Sequence, residues 1–244
     1  MRLRSALLAV PLLAAALWIS PRLRPDPTPG FPRVLLWAWE RPEDLRFVRP
    51  GSTGIAFLAR TVWLDGDRVA SRPRLQPLRF APGAFLMAVV RLESSGHGLP
   101  QRRDNAVHEI VRAAEIDGVR ALQIDFDARQ SERAWYRDLL GDVRRALPVR
   151  LPLTITALES WCEEDAWIAD LPVADATPML FRMGAGEQAP RGDFSAPACR
   201  SSVGISTDEL PARVPHGRRL YFFHPRAWTP EAYRNAMGQA GRWR

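Results

Sequence analysis

The residues in this sequence that are best suited to chemistry are two carboxylates, Asp125 and Asp127, in the stretch RALQIDFDARQ over 120–130. Side chains alternate across a strand, so this spacing puts both carboxylates and Gln123 on one face, opposite an apolar face. A helix-covered parallel strand is normally apolar on both faces, so the polar face predicts a lumen or cleft. Neighbouring carboxylates can push their pKa values apart. We therefore expect Asp127 to be a general acid and Asp125 its charge partner.

Polar residues end most of the other apolar runs too. Arg91 and Glu93 share one face, and Glu93 is the expected second carboxylate across the cleft, with Glu159 as its alternative. The other strand-end residues expected to contact a substrate are Arg60, Arg91, Gln123, Arg182, Asp208 and His224. Single buried charges are costly, so these groups are expected to converge at one barrel mouth, where barrel enzymes place their sites. The alternative is a network of Arg–Asp pairs that only fills the lumen.

Tryptophans lie near the same strand ends. Trp37 and Trp39 end the first run, Trp161 follows the fifth, and Trp228 follows the eighth. An aromatic face suits the apolar C–H face of a sugar ring, so these residues are candidate platforms for a glycan. The alternative is ordinary packing between the layers of the fold.

The elements that must position these residues are eight short apolar or alternating runs, each bounded by turn residues. They cover 33–40, 53–61, 84–93, 120–128, 151–160, 177–184, 202–209 and 219–225. Helical periodicity is found at 105–116, 132–147, 163–171 and 230–241. Strands that alternate with helices predict a parallel α/β sheet, and eight of them favour a (β/α)8 TIM-type barrel over an open doubly wound sheet.

Some of the helices of this barrel are expected to be missing or irregular. After the second run, Asp65-Gly66 predicts a hairpin in place of a helix. The connection over 185–201, after the sixth run, has little helix signal. No glycine-rich nucleotide motif follows the first run, so a nucleotide cofactor is not expected.

The N-terminal residues predict export. Arg2 and Arg4 precede an apolar stretch over 6–20, which is typical of a signal peptide or a short membrane anchor. The Pro-rich segment 21–32 is then predicted to be an extended tether, and residues 33–244 are predicted to form one barrel domain. We expect the protein to be exported, either periplasmic or held at the inner membrane by an uncleaved N-terminal segment.

Charge and cysteine usage narrow the function classes. The formal charge is +7, but every basic residue is Arg and these residues are scattered, so nucleic-acid binding is not expected. The two cysteines, Cys162 and Cys199, are either one disulfide or two buried thiols, and the sequence leaves this open. The four histidines lack metal-ligand spacing, so no metal site is expected.

Several segments together resemble a bacterial family of unknown function, DUF3142. They are LLWAWERPEDL, GIAFLARTVWLDGDRV, RPRLQPLR, LMAVVRLE, VRALQIDFDARQSERAWYRDLLGDVRRALP, LTITALESWC, PMLFRMG and GISTDE. The resemblance extends from about residue 33 to 209. It implies an exported barrel-like protein without an established activity.

More distantly, QIDFDA resembles the fourth-strand motif D-x-x-D-x-D-x-E of chitinase-like, family-18 glycoside hydrolases. The resemblance implies that Asp127 takes the place of the acidic Glu and Asp125 that of the assisting Asp, with Gln123 and Arg120 departing from the earlier positions. In the other alignment, both Asp residues match the last two Asp positions and Arg129 replaces the acid.

Three functions follow as hypotheses. The first is a glycosidase-like enzyme that acts on a polysaccharide or cell-wall glycan. The second is a non-catalytic glycan-binding domain that uses the same cleft and tryptophans. The third is a structural exported domain whose lumen is filled with paired charges.

Overall fold

The computed structural model describes residues 28–163, 165–182 and 192–243, which contain eleven strands and four α-helices. The strands are β1 Val34–Ala38, β2 Glu43–Leu45, β3 Thr53–Asp65, β4 Arg68–Pro73, β5 Leu78–Phe80, β6 Phe85–Ser94, β7 Val119–Asp125, β8 Leu153–Leu158, β9 Asp175–Met179, β10 Ser202–Ser206 and β11 Arg219–Phe223. The helices are α1 Asp104–Ala114, α2 Arg133–Ala146, α3 Glu159–Glu163 and α4 Pro230–Arg242.

Eight parallel strands form a closed barrel. Their order is β1, β3, β6, β7, β8, β9, β10 and β11, and β1 closes the ring by pairing with both β3 and β11. Each of the eight apolar runs in the sequence contributes one strand, so the predicted (β/α)8 architecture is confirmed. Because all eight strands run in the same direction, their carboxyl ends meet at one end of the barrel, here called the mouth; the opposite end is the foot.

The outward faces of the strands pack on the helices and connections to form the main core. Leu122 and Ile124 of β7 are fully buried there, together with Ile110 of α1 and Leu139 of α2. These helix residues recur at the 3.6-residue period that the sequence shows, which is why the helices cover the sheet. Burial of apolar side chains between the two layers is the main force that holds the barrel together.

The ring of helices is incomplete. The described segments that follow β1, β3 and β10 contain no α-helix, and β3 instead turns back into the antiparallel strand β4 at the predicted Asp65-Gly66 hairpin. Gly66 has φ of 53°, a left-handed conformation that glycine adopts without strain. The helix predicted over 163–171 is wrong: α3 ends at Glu163, and a single 3-10 turn follows at Ala166–Ile168.

A disulfide joins Cys162 of α3 to Cys199, with their Cα atoms 5.8 Å apart. Cys199 ends a 3-10 turn, Pro197–Cys199, that precedes β10. The bond therefore ties the connection after β8 to the connection before β10, on a side of the barrel where the described residues include one short α-helix, α3. The question that the sequence left open is answered in favour of pairing.

The barrel wall has an uneven height at the mouth. β3 has 13 residues and β6 has 10, whereas β9, β10 and β11 have five residues each. We call the protruding ends of β3 and β6 the tall wall, and the ends of β9, β10 and β11 the low rim. The hairpin with β4 pairs the free edge of β3 along Arg60–Asp65, so the tall wall keeps its strand geometry above the barrel.

The chain enters the barrel at the foot. Arg219, a buried residue of β11, donates hydrogen bonds to the Thr28 hydroxyl at 2.6 Å and to the Pro32 carbonyl at 3.1 Å, and its guanidinium lies 5.0 Å from the Phe31 ring. The end of the predicted tether is thus packed against the barrel. The predicted signal or anchor over 1–20 lies outside the described residues. Among the described helices, none has the length and apolar character needed to cross a bilayer.

Candidate functional site

Side chains that point inward fill the lumen of the barrel. Its middle layer contains a buried polar line: Trp37 Nε1 donates to Gln123 Oε1 at 3.1 Å, and Gln123 Nε2 donates to Thr177 Oγ1 at 3.5 Å. Trp37 is 4 % exposed and Gln123 is fully buried. Both residues were predicted to contact a substrate. The structure instead places them beneath the mouth, where they support the residues above.

Four charged residues form a cluster at the top of the lumen, the Arg91 cluster: Arg91, Glu93, Asp125 and Asp127. Arg91 Nη1 lies 2.7 Å from Asp125 Oδ2, its Nε lies 3.3 Å from Glu93 Oε1, and its Nη2 lies 3.7 Å from Asp127 Oδ2. The parallel register pairs Arg91 with Asp125, which places both on the inward face. The three carboxylates predicted from the sequence are therefore brought together, and one guanidinium joins them.

The two Asp residues have different environments. The Asp125 side chain is 8 % exposed, and its second oxygen accepts a hydrogen bond from Thr156 Oγ1 at 2.8 Å. The Asp127 side chain is 59 % exposed, just beyond the end of β7. Asp125 is therefore a held, internal group, whereas Asp127 can meet a ligand from solvent.

Burial decides the electrostatics of Asp125. Removal from water raises its pKa above the ordinary value, and the opposing effects of Arg91 and Thr156 do not cancel this rise. For Arg91, burial lowers the pKa of the guanidinium, but the attraction of Asp125, Asp127 and Glu93 outweighs it and the net direction is upward. Arg91 stays charged and is the group that keeps a carboxylate acceptable at this depth.

An aromatic row crosses the mouth beside this cluster. Trp39 stacks on Trp37 with 5.0 Å between ring centroids, Trp37 contacts Phe223 at 4.4 Å, and Phe223 contacts Phe181 at 4.9 Å. Trp39, Phe223 and Phe181 are half-buried, so parts of their rings face solvent. The Arg91 guanidinium lies 5.8 Å from the Trp39 ring and links the row to the charged cluster.

The loop that carries Trp39 is held by an arginine of the β4–β5 connection. Arg74 donates hydrogen bonds to the carbonyls of Trp39 at 2.7 Å and Arg41 at 2.5 Å. Burial lowers the pKa of Arg74, opposed by Glu43 and Glu40. The backbone that carries Trp39 is therefore held in place by the fold, which reduces the entropy lost when a ligand stacks on the ring.

Arg60 does not reach the mouth, so its predicted placement is wrong. The pairing of β3 with β6 shifts by one residue between Leu58 and Arg60, and this bulge turns Arg60 to the outer face. There its Nη1 bonds Glu109 of α1 at 2.7 Å and the Ser71 hydroxyl at 2.9 Å. A bulge of one residue reverses the inward or outward direction of every residue after the bulge. The sequence pattern did not indicate a bulge at this position.

Trp161 and Trp228 are also not platforms. Trp161 is 1 % exposed and packs edge-on against Trp167 with a centroid distance of 4.8 Å, outside the barrel wall. Trp228 is 4 % exposed, and its Nε1 donates to the Trp37 carbonyl at 2.9 Å. For these two residues the alternative, interlayer packing, is correct.

The site residues predicted at the low rim do not converge on the Arg91 cluster. His224 follows β11 on the outward parity, where it accepts or donates a 2.6 Å hydrogen bond with Thr207 Oγ1 and lines a cavity of about 890 Å³ against α4. Burial lowers the pKa of His224, and Arg226 and Arg41 lower it further. His224 therefore belongs to the outer layer and not to the mouth, which corrects the prediction.

Asp208 and Arg182 lie near each other beyond the ends of β10 and β9. Asp208 is exposed; the Ser206 hydroxyl bonds its carboxylate and lowers its pKa, with smaller contributions from Arg182 and His224. Arg182 has φ of 53°, and its backbone N–H donates to both carboxylate oxygens of Glu209 at 3.0 Å. Both residues stay predicted binding groups at the edge of the mouth.

Glu159 lies at the mouth end of β8, since β8 ends at Leu158 and Glu159 is the first residue of α3. The side chain is half-buried. The strand alternation therefore ends one residue before Glu159, and the helix decides its direction. Glu93, which the Arg91 cluster contains, is the better placed of the two alternatives for a second carboxylate.

Three residues of the mouth were missed by the sequence analysis as site candidates: Trp63, Phe181 and Phe223. Trp63 Nε1 donates to Glu93 Oε2 at 2.8 Å from the neighbouring strand. Strand parity could have found Phe223, which shares the inward face of β11 with Tyr221. In the described part of the chain, no group of His, Cys, Asp and Glu side chains has the arrangement of a metal site.

Comparison with known families gives one match. The family model described as "Domain of unknown function (DUF3142)" matches residues 83–194, which is under half of the 244-residue chain. The match confirms the resemblance seen in the sequence over this part and includes the whole Arg91 cluster. No curated protein matches the sequence.

Among solved structures, the chain is similar to the spore cortex-lytic enzyme SleL of Bacillus cereus, with a TM-score of 0.47 and 16% identity over 72% of this chain and 51% of SleL. The chain thus spans about half the length of SleL. It is also similar to phosphoribosyl anthranilate isomerase from Thermus thermophilus, with a TM-score of 0.43 and 14% identity over 87% of this chain and 100% of the isomerase. Neither similarity informs on a substrate or mechanism for this chain.

Proposed function

We propose that the mouth of the barrel binds a glycan. The observation that carries this proposal is the aromatic row lying directly beside the Arg91 cluster, with Trp39 contacting both. A flat aromatic ring packs on the C–H face of a sugar, and carboxylates and guanidinium groups bond its hydroxyls. This combination of an apolar floor and a charged side is the chemistry that a polyhydroxylated ring requires.

Within this site, the residues have separate tasks. Asp127, which is exposed, and Glu93 accept hydrogen bonds from sugar hydroxyls, and Trp39 supplies the stacking face. Asp125 holds Arg91 in place through the 2.7 Å ion pair and does not itself meet the ligand, since its side chain is only 8 % exposed. Asp125 is therefore a positioning residue.

Titration of the purified full-length chain with N-acetylglucosamine oligomers and soluble peptidoglycan fragments, followed by calorimetry, tests the proposal. We expect binding that Trp39→Ala weakens at least tenfold, which corresponds to about 1.4 kcal/mol. Trp135→Ala is the matched control, because Trp135 is also half-buried but lies on α2, where its indole N–H donates to the Pro100 carbonyl. Equal affinities of the two variants, or no binding of any glycan by the wild type, would reject the proposal.

A second candidate is hydrolysis of the bound glycan, with Asp127 as the general acid. The observation that favours it is the pairing of an exposed carboxylate with a neighbour, Asp125, whose pKa is raised by burial. Against it stands Arg91, whose guanidinium contacts all three carboxylates of the cluster and engages Asp127 as an ion-pair partner. Release of reducing ends from the same oligomers is the measurement; turnover that persists unchanged in Asp127→Asn would remove Asp127 from the role of acid.

We also propose that the protein is exported, to the periplasm or to the outer surface of the inner membrane. Two features support this: the basic and apolar character of 1–20, and the disulfide between Cys162 and Cys199, since such bonds persist mainly in oxidising compartments. The test is thiol labelling of the protein in intact cells before and after reduction. Two thiols that are free without reduction would contradict export.

A further inference from the structure

The tall wall extends the inward face of the barrel beyond the Arg91 cluster. The register pairs Thr61 with Arg91 and Trp63 with Glu93, so Trp63 lies two residues further along β3 on the same face. Two residues of a strand correspond to about 7 Å. Trp63 thus lies on the face that continues from the lumen. Along the barrel axis it is above the level at which Arg91 contacts Asp125.

The Trp63 ring is held in a fixed position although it is only half-buried. Its indole N–H donates to Glu93 at 2.8 Å, and the Arg72 guanidinium lies 5.7 Å from the ring centroid. Arg72 is itself bonded to Glu40 at 2.9 Å. A tryptophan used only to pack the hairpin would need neither partner, because its N–H could face solvent; here two charged groups fix the orientation of a partly exposed ring.

Contacts form a continuous path between two half-buried aromatic residues, Trp39 and Trp63. Trp39 lies beside Arg91, Arg91 bonds Glu93, and Glu93 bonds Trp63. An aromatic ring is therefore found at each end of a short run of alternating charges. Trp63 with Glu93 therefore has the same combination as Trp39 with Arg91: an aromatic face beside a charged hydrogen-bonding group.

We propose that Trp63 is a second sugar-binding platform, and that the ligand is a linear glycan chain of at least two to three units lying along the tall wall from Trp39 to Trp63. This inference rests on the proposed glycan binding and specifies its substrate class. Glu93 lies between the platforms, where its carboxylate meets the hydroxyls of the intervening unit. In this proposal a single sugar stacks on Trp39 alone, and only a longer chain contacts Trp63 as well.

The experiment measures affinity as a function of chain length, with N-acetylglucosamine and its oligomers of two to six units on the full-length chain. In the wild type we expect affinity to rise about tenfold or more from one unit to three or four. Trp63→Ala should leave the affinity for the single sugar within about twofold and remove most of the rise, a loss of about tenfold for the longer oligomers. Trp39→Ala should weaken every length.

Two further variants keep this test decisive. Trp63→Leu preserves apolar bulk in the hairpin and removes only the flat ring, so it replaces Trp63→Ala if that variant does not fold. Trp135→Ala is the control for loss of a half-buried tryptophan elsewhere. Oligomer binding that does not depend on length in the wild type, or that keeps its length dependence in Trp63→Leu, overturns the second platform while the binding at Trp39 stands. Absence of all binding overturns the proposed function and this inference together.

Discussion

The tall wall and the low rim differ in where their polar residues at the strand ends point. On the tall wall, the 13 residues of β3 and the 10 of β6 remain paired past the lumen, so Trp63, Arg91 and Glu93 stay on one inward face. On the low rim, five-residue strands end early. His224 follows β11 on the outward parity, and beyond β9 the chain turns at Arg182 with φ of 53°.

The difference shows when the alternation of a strand can be used to build a site. Alternation holds only while a strand continues to pair with its neighbours, because the pleat is maintained by the ladder of hydrogen bonds. The hairpin with β4 maintains that ladder on the tall wall. Where no such partner exists, a polar residue that follows a strand is directed by the loop, and a pattern of every second residue no longer reports its direction.

The two sides of the barrel also differ in what stabilises them. On the β8–β10 side we expect the disulfide to make the largest single contribution to the free energy of unfolding. Replacing both cysteines by alanine, Cys162→Ala with Cys199→Ala, opens a loop of sequence separation 37 and should lower the free energy of unfolding by about 3–4 kcal/mol, through the loop entropy regained by the unfolded chain. Urea unfolding measures it. Glycan binding at the mouth should persist at temperatures where the variant is folded. A loss below about 1 kcal/mol would show that the β8–β10 side is held by packing alone.

On the tall-wall side, Arg91→Met should lower the free energy of unfolding by about 3 kcal/mol, because it leaves the buried Asp125 without its guanidinium. The pKa of Asp125 is already raised, so the folded state binds a proton more readily than the unfolded one and stability falls as pH rises through this range. Loss of Arg91 enlarges that fall.

Urea unfolding of Arg91→Met at about pH 4 and about pH 7 should therefore show a greater deficit at the higher pH. Arg91→Met with Asp125→Asn should recover part of the loss at the higher pH, since no buried charge remains. Arg182→Met on the low rim is the control and should change stability by about 0.5 kcal/mol or less, because its side chain is exposed. Equal losses at Arg91 and Arg182 would contradict the contrast between the two sides.

Two threonines of β8 give a finer measurement inside the lumen. Thr156→Val removes the 2.8 Å hydrogen bond to the Asp125 carboxylate, whereas Thr154→Val removes a 3.3 Å bond to the Leu122 carbonyl. Hydrogen bonds to charged groups contribute more, so we expect losses of about 2 kcal/mol for Thr156→Val and about 1 kcal/mol for Thr154→Val. Thermal or urea unfolding of the pair tests this order, and the reverse order would argue that Asp125 is protonated in the folded protein at neutral pH.

The smallest effect concerns His224 on the low rim. The pKa of His224 is lowered in the folded state, so the folded protein binds a proton at this residue less readily than the unfolded chain. Its contribution to the free energy of unfolding is present above the ordinary pKa of His and is lost as the pH falls through the lowered pKa. His224→Gln should therefore be less sensitive to acidification than the wild type between about pH 7 and about pH 5. The exposed His108→Gln serves as control. An unchanged acid response in His224→Gln, with a lowered pKa still measured by NMR in the wild type, would assign the effect to other groups.

Much of this architecture could be predicted from local pattern. Each apolar run forms one barrel strand, the Asp65-Gly66 pair makes the hairpin, and Asp125 and Asp127 lie at the mouth with Glu93. These features depend on period, turn chemistry and parity, which act over a few residues. Arg60 was misplaced because a bulge is a property of two paired strands, and Trp161 because the burial of a tryptophan depends on which layers meet around it.

The sequence by itself determined the barrel class, the polar face of β7 and the set of carboxylates that lie near the mouth, because hydrophobic periodicity selects elements and faces locally. Only the tertiary structure decided that Arg91 joins Glu93, Asp125 and Asp127, that Trp39 is half-buried while Trp37 is buried beneath it, and that Cys162 meets Cys199. Such contacts join residues far apart in the chain, and they depend on how barrel closure and strand length set the register between neighbours.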